Sequence, residues 1–370
     1  MMTKILFFIP NLMHGGAEKV LVNLVNNLDQ TKYDVTLYSI FDEGVNRQFL
    51  RSHVKYRSRF KKVFRGNSQL MKLFSPTVLY RFFIQEDYDL VVSYLEGPAA
   101  RIISGCPDSA VKKIAWIHIE LNNEKEASVG FISVNSARKS YEKFDRIVAV
   151  SEIVGECFKK NMTTKVPLQV LYNTNETEQI RKLGLEPVEN VFEKEILQVC
   201  SVAKIAAPKG YDRLLIAHKQ LIDEGILHHI NILGIGPEQG KLEKKAKELG
   251  VSESFRFLGF HQNPYQYVSK CNLYVCSSHT EGFSTAVSEA LILGIPIVST
   301  NCSGAVEMLG ENNEYGIVTE NSTEGIYQGM KQMLSDRALL DHYRSQAKLR
   351  GSFFSTANTV KAVENLLDEI

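Results

Sequence analysis

The 370-residue chain lacks any apolar run near the roughly 18 residues that a membrane-spanning helix needs. The N-terminal ILFFIP is too short for a signal peptide, has no cleavage pattern after it, and reads as a strand. Six cysteines are scattered without a Cys-x-x-Cys pair. Cys200, Cys271, Cys276 and Cys302 sit in apolar surroundings and read as small core residues, which implies reduced thiols in a cytoplasmic compartment. There is no internal repeat, no low-complexity tract and no nucleic-acid-binding motif, so no nucleic-acid partner is expected. Apart from Asp87-Tyr88-Asp89 there is no acidic cluster, and no catalytic metal is expected.

Acid is also missing locally. From Gly44 to Gln85 there are ten basic residues and no acidic one. Arg57, Arg59, Lys61, Lys62 and Arg65 are interleaved with Phe60, Phe64, Leu70, Leu73 and Phe74. That mixture suits an anionic membrane surface, and a solvated basic helix is the plainer alternative. The overall charge of +1 hides this asymmetry: residues 1–172 carry 24 basic and 17 acidic residues, and the remainder is acidic. A hydrophobic content of 44% and a charged content of 23% are ordinary for a globular protein, and the length favours two domains.

Strands alternate with helices along the whole chain, which predicts an α/β architecture. Residues 4–10 form a strand, the turn NLMHGG follows, and AEKVLVNLVNNL is an amphipathic helix. Further strands are expected at 35–40, 90–94, 111–117, 146–151 and 166–172, with the basic segment a helical region between the first two. The polar stretch 173–195 reads as a linker. A second series begins at Ile196, and a last helix runs from about Ala357 to Ile370.

Glu281 to Glu289, EGFSTAVSE, is the stretch around which the rest is organised. Gly282 permits close backbone approach, and Ser284 and Thr285 are good N-cap types. The helix they start has free N–H groups at a positive dipole end, a natural anion site. Carboxylates on either side can accept bonds from hydroxyls, as a nucleotide sugar would require. An ordinary amphipathic helix with two solvated glutamates fits the same pattern. Elsewhere, Gly15 and Gly16 open a helix after a strand. His118 stands just past a strand end, where open α/β sheets bind ligands. Lys204 and Lys209 flank a loop and can neutralise a diphosphate. Gly234, Gly236 and Gly240 imitate a dinucleotide fingerprint, but the last spacing is one residue too long.

In order, GGAEKVL, WIH, SVAKIAAPKG, GIGP and the block EGFSTAVSEALILGIPIV closely resemble the family 4 retaining glycosyltransferases of GT-B fold, such as those of bacterial capsular and other surface polysaccharides. The resemblance implies two Rossmann-like doubly wound domains facing each other across a cleft. Residues 1–172 would be the acceptor-side domain, with 44–85 its membrane-facing segment. Residues 173–195 would be the linker, 196–350 the nucleotide-sugar donor domain, and 351–370 a helix crossing back. Asp87-Tyr88-Asp89 matches the metal-binding motif of the other main glycosyltransferase fold, but it directly precedes a strand and reads as the end of a loop.

By the same resemblance, the catalytic residues would be His118, Glu281, Lys204 and Lys209. Glu281 would contact the donor sugar, Glu289 the ribose, and Lys204 and Lys209 the pyrophosphate. His118 would contact the donor sugar and position the acceptor. Gly15, Gly16, Gly234, Gly236, Phe260, His261, Gly282, Phe283, Ser284 and Thr285 would complete the donor site. The family has arginine where Lys204 stands, and glycine follows where Asn173-Thr174-Asn175 runs here. The expected activity is hexosyl transfer, without metal or cofactor, from a nucleotide sugar to a glycan or lipid-linked acceptor. Family frequency favours UDP, with a GDP-sugar the alternative. The expected location is cytoplasmic, peripheral at the inner membrane face. An epimerase of the same fold and a non-catalytic sugar-nucleotide-binding subunit are the competing readings. A glycosidase is disfavoured, because one loop and helix rarely place an acid on each side of the scissile bond.

Overall fold

The computed structural model describes residues 2–13, 15–188, 192, 193 and 195–370. His14 of the NLMHGG turn and residues 189–191 and 194 of the expected linker lie outside the described residues. The chain forms two compact units, Met1–Thr174 with Thr356–Ile370, and Asn175–Ser355.

The first unit contains β1 (Thr3–Ile9), β2 (Tyr33–Phe41), β3 (Lys55–Phe60), β4 (Leu90–Ser93), β5 (Lys112–Ile117), β6 (Arg146–Ala149) and β7 (Leu168–Val170). They form one parallel sheet in the order β3-β2-β1-β4-β5-β6-β7. Five consecutive side chains of β1, Ile5 to Ile9, are fully buried, as expected where helices cover both faces of a parallel sheet. The order reverses between β1 and β4, so the loops past these strands flank a topological switch point. The helix Thr356–Glu369 returns to this unit, where Glu364 accepts the Asp29 N–H at 2.9 Å and Asp368 accepts the Tyr33 hydroxyl. Residues 351–355 lie instead in the second unit, at the end of the helix Arg337–Phe353.

The basic segment is not simply helical. Residues 55–60 form the edge strand β3, because KYRSRF alternates with period two: Lys55, Arg57 and Arg59 are exposed, while Tyr56 and Phe60 turn inward. Three cations along an edge also discourage pairing with another chain. Two short helices follow, Asn67–Lys72 and Pro76–Phe83.

The second unit contains β8 (Leu197–Val202), β9 (His228–Leu233), β10 (Phe255–Gly259), β11 (Leu273–Cys276), β12 (Ile297–Thr300) and β13 (Ile317–Thr319). Its parallel sheet has the order β10-β9-β8-β11-β12-β13, with the reversal between β8 and β11. Val199, Ile230, Val275 and Val298 pack against Leu214, Leu221 and Met330 of the covering helices. Part of the expected linker belongs to this unit. Residues Thr177–Gly184 form a helix whose Ile180 packs with Tyr265 and Ile292 in a small separate cluster. The polar look of the stretch hid Ile180 and Leu183, which are spaced for one helical face.

Candidate active site

The donor-side residues gather past the ends of β8 and β11 in the second unit. Lys209 Nζ lies 2.6 Å from Glu281 Oε1, and Ser278 Oγ donates to the same oxygen at 2.7 Å. The two loops are also tied by their backbones: the His279 N–H donates to the Pro208 carbonyl at 2.8 Å, and Ser277 Oγ donates to the Lys209 carbonyl at 2.8 Å. Arg213 braces them further, donating to the Ser277 carbonyl at 2.7 Å. A lysine ammonium, a carboxylate and a hydroxyl therefore converge where open α/β sheets bind ligands.

Ser284 caps the helix Thr285–Ile292, its hydroxyl accepting from the Val287 N–H at 3.4 Å. Gly294, with φ +73°, ends it. Glu289 lies one turn inside, buried, and accepts from the Tyr265 hydroxyl at 3.1 Å. Asn175 Nδ2 donates to Ser288 Oγ at 3.0 Å, which fixes the same helix from the first residue of the second unit. Phe283 is buried edge-on against Phe354, 5.7 Å between centroids, and so anchors the Glu281–Gly282 turn.

Other expected residues are placed differently. Lys204 is exposed, with no ion pair recorded among the described residues, and precedes Lys209 in the same segment after β8. Gly234 and Gly236 serve backbone packing. A Cβ at Gly234 would meet the Ala203 carbonyl oxygen at 2.0 Å, and one at Gly236 would meet that of Ile205 at 2.1 Å. They let the β9 turn press against the loop that carries Lys204. His261 is occupied locally: its Nε2 donates to the Leu258 carbonyl at 2.9 Å and its ring lies 4.3 Å from Tyr267. Phe260 is exposed.

In the first unit, Gly15 is the N-cap residue of the helix Gly16–Asn27, and a Cβ there would collide with the Glu18 carboxylate. Burial pushes the Glu18 carboxyl above its usual range. His118 follows β5 and is buried. Burial pulls its imidazole down to about 3, against a smaller opposite effect of the Tyr94 carbonyl. Its Nε2 is buried without a hydrogen-bond partner. The Glu96 carboxylate accepts from the His118 backbone N–H at 3.0 Å. Trp116 is core, its ring 5.0 Å from Tyr94. Asp89 has a structural partner at the opposite ends of the strands, where its Oδ2 accepts the Lys4 N–H at 2.8 Å. Among the described residues, no group of three His, Cys, Asp or Glu side chains could hold a metal ion.

The sequence pattern missed Ser278, Tyr265 and Glu96. Ser278 sits three residues before Glu281, and the strand NLYVC ending just before it was the available signal. Tyr265 is 24 residues from Glu289 and carries no local mark.

A family model described as Glycosyltransferase Family 4 matches residues 14–179, and one described as Glycosyl transferases group 1 matches residues 185–350. The chain belongs to the family 4 glycosyltransferases. This glycosyltransferase is 26% identical over 381 residues to an uncharacterized glycosyltransferase of Haemophilus influenzae, covering 99% of this chain and 100% of the relative. It is 27% identical over 370 residues to the N-acetylgalactosamine-N,N'-diacetylbacillosaminyl-diphospho-undecaprenol 4-alpha-N-acetylgalactosaminyltransferase of Campylobacter jejuni, covering 95% and 96%. Among solved structures, Anabaena HepE in complex with UDP and glucose matches with a TM-score of 0.79 at 18% identity, covering 100% of both chains. WaaG, a glycosyltransferase involved in lipopolysaccharide biosynthesis, matches with a TM-score of 0.70 at 15% identity, covering 98% and 99%. These likenesses give the fold as GT-B, with two Rossmann-like parallel-sheet domains.

Proposed function

We propose that this glycosyltransferase moves a sugar from a UDP-sugar to a glycan on a lipid carrier, with retention at the anomeric carbon, during assembly of a surface polysaccharide. The observation that carries the donor assignment is the Lys209–Glu281–Ser278 cluster past β8 and β11. Diphosphate oxygens would replace Glu281 as the partner of Lys209, and Glu281 would then accept from sugar hydroxyls. Lys204, already free of ion pairs among the described residues, adds a second cation. Glu289, held by Tyr265, takes the ribose hydroxyls. In the reaction the acceptor oxygen bonds to the anomeric carbon as the bond to phosphate breaks, and the leaving phosphate takes the acceptor's proton. Lys204 and Lys209 stabilise the developing charge. Retention and this same-face course rest on family resemblance.

The choice of UDP is supported by HepE, solved with UDP and glucose. The choice of a lipid-linked acceptor is supported by the Campylobacter relative, whose name specifies a diphospho-undecaprenol. It is also supported by the first unit's surface: Phe64, Leu70, Leu73 and Phe74 are exposed beside Lys61, Lys62 and Arg65. The helix Asn67–Lys72 buries no side chain, and the buried Arg101 holds its end by donating to the Met71 carbonyl at 2.7 Å. Such a surface fits an anionic leaflet, with the enzyme peripheral at the cytoplasmic face.

A thermal-shift panel of UDP- and GDP-sugars tests the donor, since a ligand at a hundred times its dissociation constant adds about 2.7 kcal/mol. Nucleotide release that depends on a lipid-linked acceptor tests the reaction. Release without acceptor would point to an epimerase or hydrolase, and binding without release to a non-catalytic subunit.

A further inference from the structure

β4 and β5 are paired in register from Leu90 with Lys112 to Ser93 with Ala115. The residues just past their C-terminal ends therefore stand side by side, Tyr94 to Glu96 on one strand and His118 on the other. The Glu96 Oε2 accepts the His118 backbone N–H at 3.0 Å, and the Tyr94 and His118 rings lie 4.7 Å apart. His118 Nε2 is buried without a hydrogen-bond partner. As a bare lone pair that nitrogen calls for a donor, and a sugar hydroxyl supplies one.

Glu96 is a costly choice if a backbone N–H merely needed an acceptor. It is partly buried, burial pushes its carboxyl up, and no Lys, Arg or His ion pair with it is recorded among the described residues. Its place is fixed by the next residue. Gly97 has φ +75°, and a Cβ there would lie 2.9 Å from the Val129 carbonyl oxygen, so the 128–130 loop closes directly over it. A charged acceptor makes a stronger bond to an N–H than a neutral one, and so holds the following ring more firmly.

We propose that Glu96 is a positioning residue of this enzyme: its carboxylate pins the His118 main chain so that Nε2 is held as a fixed acceptor for a sugar hydroxyl. The proposal rests on the reading of His118 as a sugar-contacting residue.

The test compares Glu96→Ala, Glu96→Gln, Glu96→Asp, His118→Ala and the double variant Glu96→Ala/His118→Ala. Transfer is measured with UDP-glucose, UDP-galactose, UDP-N-acetylglucosamine and UDP-N-acetylgalactosamine, and the His118 ring is followed by 15N NMR. Glu96→Ala should lower kcat about tenfold to a hundredfold with little change in KM for the donor, the loss expected for a charge-assisted bond. UDP affinity should be unchanged, because Lys204, Lys209 and Glu289, the side chains proposed for the nucleotide, lie in the second unit. Glu96→Gln should fall between wild type and Glu96→Ala, since its amide oxygen still takes the N–H, as a weaker, neutral acceptor. Glu96→Asp, one methylene short of that N–H, should be the more damaged of the two, and this ordering decides the matter even if the alanine variant does not fold. The double variant should be no slower than His118→Ala. In wild type the ring should remain the neutral Nδ1–H tautomer from pH 5.5 to 8, and in Glu96→Ala or Glu96→Asp it should not. Glutamine as damaging as alanine, or less tolerated than aspartate, would assign the charge to the chemistry and overturn the positioning role. An unaltered ring signal in Glu96→Ala or Glu96→Asp would overturn it as well. A wild type without transfer on any donor refutes the reaction assignment alone, because the ring signals still judge Glu96.

Discussion

Lys209 and Glu281 follow different strands of the second sheet, yet their charged ends lie 2.6 Å apart. Both side chains are largely buried, with 26% and 14% of their surface exposed, so the pair is partly withdrawn from water. In the proposed donor site the Lys209 ammonium exchanges this carboxylate for phosphate when a nucleotide sugar binds. Lys209→Ala should therefore weaken UDP binding, and Glu281→Gln should not. Glu281→Gln should instead reduce turnover about tenfold to a hundredfold, as for loss of a charge-assisted bond of about 1.5–3 kcal/mol. Calorimetric titration with UDP beside initial-rate kinetics separates the two. Equal loss of UDP affinity in both variants would remove the division of labour.

Glu289 and Tyr265 form a second pair, buried, with the hydroxyl donating at 3.1 Å. Glu289→Gln should weaken UDP binding by about 1.5–3 kcal/mol, because the ribose loses a charged acceptor. Tyr265→Phe removes one neutral donor and should cost about 1 kcal/mol of the same binding energy. The two changes should not add, since both act through one carboxylate. A Tyr265→Phe variant that binds UDP as wild type does would take Tyr265 out of the site.

His218 and His228 lead to a prediction about acid. The Ile226 carbonyl lies 2.9 Å from His228 Nδ1, so that nitrogen carries the proton and His228 Nε2 is bare. His218 Nδ1 donates to it at 2.8 Å, and Ser254 Oγ donates to His218 Nε2 at 2.8 Å. A further proton on His228 Nε2 would set two N–H groups face to face, whereas one on His218 Nε2 would turn the Ser254 hydroxyl towards the Val251 carbonyl. Burial pulls both imidazoles down, His228 to about 4. The folded value lies below the unfolded one, so the stabilisation is present above about pH 6.5 and is lost as pH falls towards 4. At about 1.36 kcal/mol per unit of depression, His228 alone accounts for roughly 3 kcal/mol. Urea midpoints should drop from pH 7 to pH 5, less steeply in His228→Gln. A flat midpoint across that range would speak against a neutral relay.

In the proposed donor site Lys204 and Lys209 supply the positive charge, so the expected reaction needs no metal. Transfer should persist in excess chelator, and Asp89→Asn should act through stability, because Asp89 clips β4 to the start of β1. Activity abolished by chelator and restored by a divalent cation would refute this.

What was legible in the sequence was local. The Glu281–Glu289 block, the strand before it and the N-capping Ser284 are contiguous, and period and capping chemistry place them. The α/β architecture followed from alternating strands and helices. What was not legible depends on partners brought in from elsewhere. Tyr265 reaches Glu289 only through the fold, and Glu96 matters because β4 lies beside β5. Residues 177–184 read as linker because their two apolar positions gain meaning only against Tyr265 and Ile292. Arg57 and Arg59 drew attention as charges, and that obscured the period-two alternation of an edge strand.

Those cations bear on the last prediction, membrane docking. Had Phe64, Leu70, Leu73 and Phe74 faced the core, the segment would be a merely soluble basic face. They are instead 39%, 47%, 79% and 46% exposed. Not every cation is equally available: Arg57 lies 3.4 Å from Glu86, and Arg59 stacks on the Phe82 ring at 4.3 Å. Lys61, Lys62 and Arg65 are exposed without such partners recorded among the described residues. Each basic residue near an anionic leaflet contributes roughly 1 kcal/mol, within about a Debye length of the surface. Three free cations with inserted phenylalanines and leucines are enough for reversible, salt-sensitive binding. The protein should float with vesicles containing phosphatidylglycerol at low salt and not with phosphatidylcholine alone. Changing Lys61, Lys62 and Arg65 to Gln should abolish flotation while sparing transfer to a short soluble acceptor. Leu73→Ser/Phe74→Ser should weaken flotation and leave its salt dependence in place, because it removes inserted area and no charge. Binding to both vesicle types alike, or to neither, would return the segment to an ordinary basic surface.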